Sequence, residues 1–154
     1  MVESTAFLSE TTRIAKGTDM STLESLIREW IASGPFDQQL GVSVEALDPD
    51  RTAIRLPFRH ELTTHGDLVH GGAIASLVDV AATAAAWSGA DPDKVRRGTT
   101  VGFTVNYLSP GRGQDLIATA RVVKRGKALC VCHVDVSGED GTLVACALVT
   151  YKLD

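Results

Sequence analysis

HGDLVHGGAIASLVDVAATAAAWS, residues 65–88, decides how the rest of this 154-residue chain is read. It is a His-Gly-Gly turn leading into small and apolar residues from Gly71 to about Trp87, and Asp79 is the only charged side chain in that run. A helix that is apolar on nearly every side is normally a buried one. At about 100° per residue, Ile74, Leu77, Val78, Ala81 and Ala85 form one stripe, while Asp79 stands on another face with Ser76 one turn before it and Thr83 one turn after. Burying an unpaired carboxylate is costly, so Asp79 needs either partners supplied by the fold or a chemical task. The first backbone N–H groups of such a helix have no internal acceptor and carry the positive end of its dipole, and Gly71 and Gly72 let a ligand oxygen approach them. The two glycines therefore read as an oxyanion site. Asp79 lies eight residues beyond Gly71, about 12 Å along the axis, too far to act at the oxyanion site of its own helix. A second, antiparallel copy of the helix would bring the two together.

Outward from this helix the pattern changes to alternation. Before it, 41–47 sets Val42, Val44 and Ala46 against Ser43 and Glu45, and after a turn at Asp48-Pro49-Asp50 the run 52–58 sets Ile54, Leu56 and Phe58 against Arg55 and Pro57. These are two antiparallel strands, with Pro57 near an edge or an end. The polar, histidine-bearing segment 59–69 is expected to be a loop beside the site. After the helix, Val101, Phe103, Val105 and Tyr107 alternate with Thr100, Gly102, Thr104 and Asn106. Turns at 109–111, 125–126 and 138–141 then delimit strands at 116–124, 128–137 and 143–152. Upstream, 21–33 forms a packing helix with Ser21 and Glu24 in a capping box, Leu23, Leu26, Ile27 and Trp30 on its apolar face, and Gly34-Pro35 as its stop. Residues 1–20 are a weakly patterned arm, partly helical over 5–16. Helix, two strands, central helix and four strands make an α+β domain in which a strongly bent antiparallel sheet buries the stripe of the central helix.

One domain suits this length, and a net charge of −4 with a pI near 5.5 argues against a nucleic-acid surface. The three cysteines, Cys130, Cys132 and Cys146, fall in strand-like apolar runs with no CxxC pair, as expected of reduced core residues in a cytoplasmic protein. Neither a signal peptide nor a membrane span is expected. His60 and His133 have no second ligand at metal-type spacing, so no metal is expected.

His70-Gly71-Gly72 followed by Asp79 on a helix set between strands closely resembles the hotdog-fold acyl-CoA thioesterases of the phenylacetate-degradation (PaaI-like) type. The resemblance runs from about Phe36 to the C-terminus, which divides the chain into an arm and packing helix at 1–35 and a hotdog domain at 36–154. It takes in Asn106-Tyr107-Leu108-Ser109-Pro110 and the turn Lys124-Arg125-Gly126-Lys127. It implies an oxyanion-hole N–H at Gly71, a general base or nucleophile at Asp79 and a helper hydroxyl at Thr100. Many relatives place an Asn or Gln six residues before the motif histidine, where it contacts the thioester carbonyl. Here that position is Thr64, beside His65, and either can supply the contact. Coenzyme A would enter as part of the substrate, no separate cofactor is implied, and the site would be completed in a homodimer or dimer of dimers.

Each residue also has a plainer reading. Asp79 can be a helix-face carboxylate bonded to Thr83 or to a neighbouring strand. His70 can hold its loop through its ring nitrogens, with direct proton transfer as the alternative. Lys124, Arg125 and Lys127 can form a solvated hairpin turn or bind the nucleotide phosphates of coenzyme A. The chain lacks a GxSxG nucleophile elbow, which sets aside a Ser-His-Asp hydrolase. The rival readings are a hotdog hydratase or dehydratase and a non-catalytic acyl-CoA-binding or sensing module.

Overall fold

Apolar residues at every turn of 71–88 leave that segment almost no face for solvent, and the chain wraps a sheet around it. The computed structural model describes residues 20–95 and 97–154. In chain order these form helix α1 (Met20–Ser33), short helix α2 (Pro35–Leu40), strands β1 (Ser43–Asp48) and β2 (Arg51–Leu56), and a 3-10 turn (His60–Leu62). Strands β3 (Thr63–His65) and β4 (Leu68–Val69) follow, then helix α3 (Gly71–Ser88) and strands β5 (Gly98–Tyr107), β6 (Leu116–Arg125), β7 (Leu129–Gly138) and β8 (Leu143–Leu153). The partly helical stretch expected at 5–16 lies outside the described residues.

Six strands form one antiparallel sheet in the order β1-β2-β6-β7-β8-β5, and β3 and β4 make a separate small hairpin. Alternation puts Cys130, Cys132, Val134 and Val136 of β7 on the face that meets α3, all at 0–2% exposure. Their partners are Ile74, Leu77, Val78, Ala81 and Ala85, the stripe expected from the 3.6-residue period, at 0–3%. The alanines of α3 let its backbone lie close to the sheet, so the apolar helix packs against the sheet's inner face. Among the described residues only α3 is long and apolar enough to cross a membrane, and it is the core helix of this sheet. All three cysteines are free thiols.

Four sequence expectations change. Helix α1 does end before Gly34, but Pro35 starts a second helix, because proline at the first helical position loses no needed N–H and brings its φ ready set. The buried face of α1 is Leu23, Ile27 and Ile31, whereas Leu26 is 38% exposed and Trp30 only half-buried. The segment 59–69 is more ordered than a loop, with the 3-10 turn and the β3–β4 hairpin held to the rest by Val69 N–H donating to Gly111 O at 2.9 Å. Strand β2 ends at Leu56, so Pro57 falls just outside it.

The far end of α3 is tied down by the β1–β2 turn and β6. Asp50, at φ 65°, donates its N–H to Ser88 Oγ at 3.0 Å and accepts from Arg125 on its carboxylate. Arg125 Nη2 also donates to the Ala86 carbonyl at 2.8 Å, one of the acceptors that a helix end leaves free. A Cβ on Gly89 would come within 2.0 Å of Asp50 Oδ1, so a side chain there would displace this carboxylate from Arg125. This is a correction to the turn as read from sequence: a β-bulge between Val122 and Lys124 reverses the alternation of β6, so that Lys124 faces outward and Arg125 inward. Arg125→Met is therefore expected to lower unfolding free energy by about 1–3 kcal/mol, since hydrogen bonds to charged groups are lost and the helix end is exposed. Lys124→Met should stay within ~0.5 kcal/mol of wild type. Urea midpoints for the two variants check this, and equal values would remove the structural role given to Arg125.

Candidate active site

Asp79 sits mid-helix at the side of α3 that faces neither the packed stripe nor open solvent, and it is half-buried. Its partner comes from β5: Thr100 Oγ1 donates to Asp79 Oδ1 at 2.6 Å. Strict alternation would turn Thr100 away from Phe103. A β-bulge between Thr100 and Gly102 inserts one residue, so Thr100, opposite buried Tyr151, and Phe103, opposite Val149, share the inner face. Of the plainer readings of Asp79, the bond to a neighbouring strand is present, and Thr83 bonds elsewhere.

Around Asp79 lies a cleft of about 470 Å³ with walls from five elements: Trp30 and Ile31 of α1, Phe36 and Asp37 of α2, the Ala75–Thr83 side of α3, Thr99, Thr100 and Phe103 of β5, and Tyr151 of β8. The walls are mostly apolar. At the floor, Trp87 Nε1 donates to Tyr151 Oη at 3.0 Å, and Thr83, itself buried, shares a side-chain hydrogen bond with the same phenol. Burial holds the Tyr151 phenol above its ordinary range, with the bonds to Trp87 and Thr83 acting the other way. Thr83 is thus part of the floor.

The start of α3 is built from His70, Gly71, Gly72 and Tyr107. His70 is the N-cap, and its Nδ1 accepts the Gly72 N–H at 2.8 Å. That bond holds one ring nitrogen against the loop and gives the Gly72 N–H an internal acceptor. Among the described residues, no hydrogen bond reaches the Gly71 N–H. Tyr107 Oη donates to the Gly71 carbonyl at 2.8 Å, and its ring packs so that a Cβ on Gly71 would stand 3.3 Å from it. A side chain there would press on the tyrosine and cover the N–H.

Thr64 and His65 are exposed on the β3–β4 hairpin, and neither bonds to Asp79 or to the start of α3. Lys124 and Lys127 are exposed at the β6–β7 turn, near the C-terminal end of α3, while Arg125 and Gly126 belong to the structural tie there. The structure thus joins Thr100, Asp79 and Thr83 around one cleft and His70, Gly71 and Gly72 in one cap, and keeps the two groups and the basic turn apart within one chain. Sequence reading missed Asp37, Tyr107 and Tyr151. The first was hidden in what read as a helix stop, and the tyrosines in strands that read as packing. Buried Cys132 is no nucleophile, since burial pushes its thiol up to about 11.

A family model described as the thioesterase superfamily matches residues 66–145. A putative esterase of Halobacterium salinarum is 35% identical over 78% of this chain and 81% of its own length. The medium/long-chain acyl-CoA thioesterase YigI of Escherichia coli is 30% identical over 77% of this chain and 85% of its own. Among solved structures, a thioesterase family protein from Silicibacter pomeroyi superposes with a TM-score of 0.79 at 28% identity, covering 85% of this chain and 97% of that one. Zebrafish thioesterase superfamily member 2 gives 0.74 at 27% identity, covering 89% and 99%.

If His70 acts as a cap, His70→Ala should cost about 0.5–2 kcal/mol of stability and His70→Asn, a strong capping residue, should recover most of it. Thermal melts of the two variants decide the point. An Asn variant as unstable as the Ala variant would assign His70 some other task.

Proposed function

Because the chain belongs to the thioesterase superfamily, we propose that it hydrolyses acyl-CoA thioesters to the free acid and coenzyme A, with Asp79 as general base or nucleophile and the Gly71 N–H as oxyanion donor. The observation that carries this reading is the Asp79 carboxylate, half-buried on an apolar helix, open to an apolar cleft and held by one hydroxyl, that of Thr100. A carboxylate so placed can take a proton from water as the water oxygen attacks the thioester carbon, or attack that carbon itself. In the first case the C–S bond then breaks and the departing coenzyme A sulfur takes the proton from Asp79. In the second, coenzyme A leaves as its thiolate and the mixed anhydride left on Asp79 is hydrolysed by water to the free acid, restoring the carboxylate. A free N–H at a helix start stabilises the oxyanion that forms on the carbonyl oxygen. Thr100 acts by orienting Asp79. Thr64 and His65 lie on the exposed hairpin next to this helix start and remain the candidates for a side-chain contact to the carbonyl, and Lys124 and Lys127 those for the coenzyme A phosphates.

The second part of the proposal is that the site is shared between two copies of the chain. Within one chain Gly71 and Asp79 are about 12 Å apart along α3, whereas a reacting carbonyl needs both within ~3 Å of its atoms. Strand β5 is an edge of the sheet, and it and the residue after it expose Val101 (60%), Phe103 (43%), Tyr107 (53%) and Leu108 (53%). A long apolar edge of this kind invites pairing with another strand. A homodimer, or a dimer of dimers, satisfies both observations. A non-catalytic acyl-CoA binder would need no oriented carboxylate, and the named relatives are thioesterases and esterases rather than hydratases.

Asp79→Asn should fold and lose roughly 100-fold or more in kcat, the range usual for a lost acid–base group. A kcat within about threefold of wild type on the best thioester, less than ~1 kcal/mol of barrier, would sink the assignment. For the shared site, mixing inactive Asp79→Asn with inactive Gly71→Val should restore activity, because a hybrid pair contains one site with both native groups. No recovery on mixing variants that do exchange subunits, or full activity of a monomer by light scattering, would refute sharing.

A further inference from the structure

We infer that Asp37 determines specificity in this cleft: its carboxylate, set among apolar side chains beside Asp79, rejects acyl groups that carry a negative charge of their own and leaves uncharged acyl groups as the substrate class. The inference rests on the thioesterase reading and adds the acyl class to it.

An acid in the first turn of a helix has an ordinary explanation, because the N-terminal end of the dipole favours negative charge there. Asp37 goes beyond it in three respects. Its side chain lines the cleft, although α2 has positions that face solvent. Among the described residues, no hydrogen bond or ion pair reaches its carboxylate, and the charge that acts on it is the like charge of Asp79. Burial first, and Asp79 second, hold its carboxyl above the ordinary range for aspartate. Its Oδ2 lies where a Cβ on residue 34 would come within 2.5 Å, so the carboxylate keeps this seat only because residue 34 is glycine. A dipole partner alone needs none of this and would sit more favourably on the outer side of α2.

The rest of the lining sets the sign of the effect. Helix α1 contributes Trp30 and Ile31, and β5 contributes Thr99, Thr100 and Phe103, none of which ionises. The titratable groups facing the cleft are Asp37, Asp79 and Tyr151, each of which ionises to an anion, and none of the lining residues is a cation. An acyl group lying along Trp30, Phe36 and Phe103 is in apolar surroundings, where repulsion between like charges is screened less than in water. A neutral acyl group loses nothing to Asp37. One that ends in a carboxylate meets two like charges with no counter-charge, which is discrimination by a repulsive element.

The test compares kcat/KM for butanoyl-CoA and succinyl-CoA at neutral pH, substrates of matched chain length that differ by the distal carboxylate. Wild type should favour butanoyl, and Asp37→Asn should narrow the ratio by about tenfold, mainly through the KM for succinyl-CoA. Asp37→Glu, which keeps the charge, should retain the discrimination, and Asp37→Ser serves in place of the Asn variant if that one fails to fold. Similar wild-type rates on the two substrates, or an Asp37→Asn variant in which the ratio is unmoved, would overturn the inference while leaving thioester hydrolysis standing. Absence of hydrolysis for every thioester offered to wild type would overturn the functional reading, and this inference with it.

Discussion

The Asp79 carboxylate is the constraint around which the rest of the structure is arranged. Helix α3 is buried along most of its length because its alanines, leucine, isoleucine and valines have nowhere else to go, and a charge on such a helix is tolerated only where a gap is kept open and a donor supplied. The gap is the cleft beneath α1 and α2. The donor is Thr100, and its position depends on a bulge in β5, whose pairing depends in turn on β8. One short hydrogen bond thus draws on both sides of the molecule. At the C-terminal end of α3, Asp50 and Arg125 tie the helix terminus to β6 and the β1–β2 turn.

Where the sequence follows a single period, it is legible. The stripe of α3 and the alternation of β7 were both readable because each buried residue recurs at the spacing of its element, and the helix-in-sheet arrangement follows from them. The places where alternation misleads, at Thr100 and at Arg125, share one cause. Each lies beside a β-bulge, where one extra residue reverses which side chains face inward, and nothing in a run of alternating residues marks that insertion. Before its bulge β6 reads inward at Val122, so simple alternation would bury Lys124 and expose Arg125, the reverse of what the fold does. The family resemblance pairs Thr100 with Asp79, the residue it bonds to, whereas its place in the alternation sets it on the other face from Phe103. Asp37 was illegible for another reason: Gly34-Pro35 signals the end of one helix and the start of the next equally well, and a six-residue helix is too short to declare itself by period.

The electrostatics of the candidate site are divided in the same way as its geometry. The cleft holds carboxylates and no cation among its lining residues, while the Gly71 N–H, unbonded among the described residues and at the positive end of the α3 dipole, lies a turn and more beyond it. A thioester carbonyl gains negative charge on oxygen as it reacts, so it is repelled by one of these regions and attracted by the other. A single chain therefore separates the two fields that the proposed reaction needs to have face each other. His70 sharpens the division, since it accepts the Gly72 N–H, while among the described residues no hydrogen bond reaches the Gly71 N–H.

Strand β5 offers the means of joining those halves. It touches both of them in one chain: Thr100, near its start, bonds to Asp79, and Tyr107, at its end, bonds to the Gly71 carbonyl. Its outer edge is unpaired among the described residues, and the side chain midway between those contacts, Phe103, is 43% exposed. Two such edges paired antiparallel about a two-fold axis near Phe103 would set Thr100 of each copy opposite the Tyr107 region of the other. Asp79 of one copy would then approach Gly71 of the second, with the negative cleft of one facing the positive helix start of the other. On this arrangement the exposed edge, the distance along α3 and the separated charges are three consequences of a site that is proposed to form only where two chains meet.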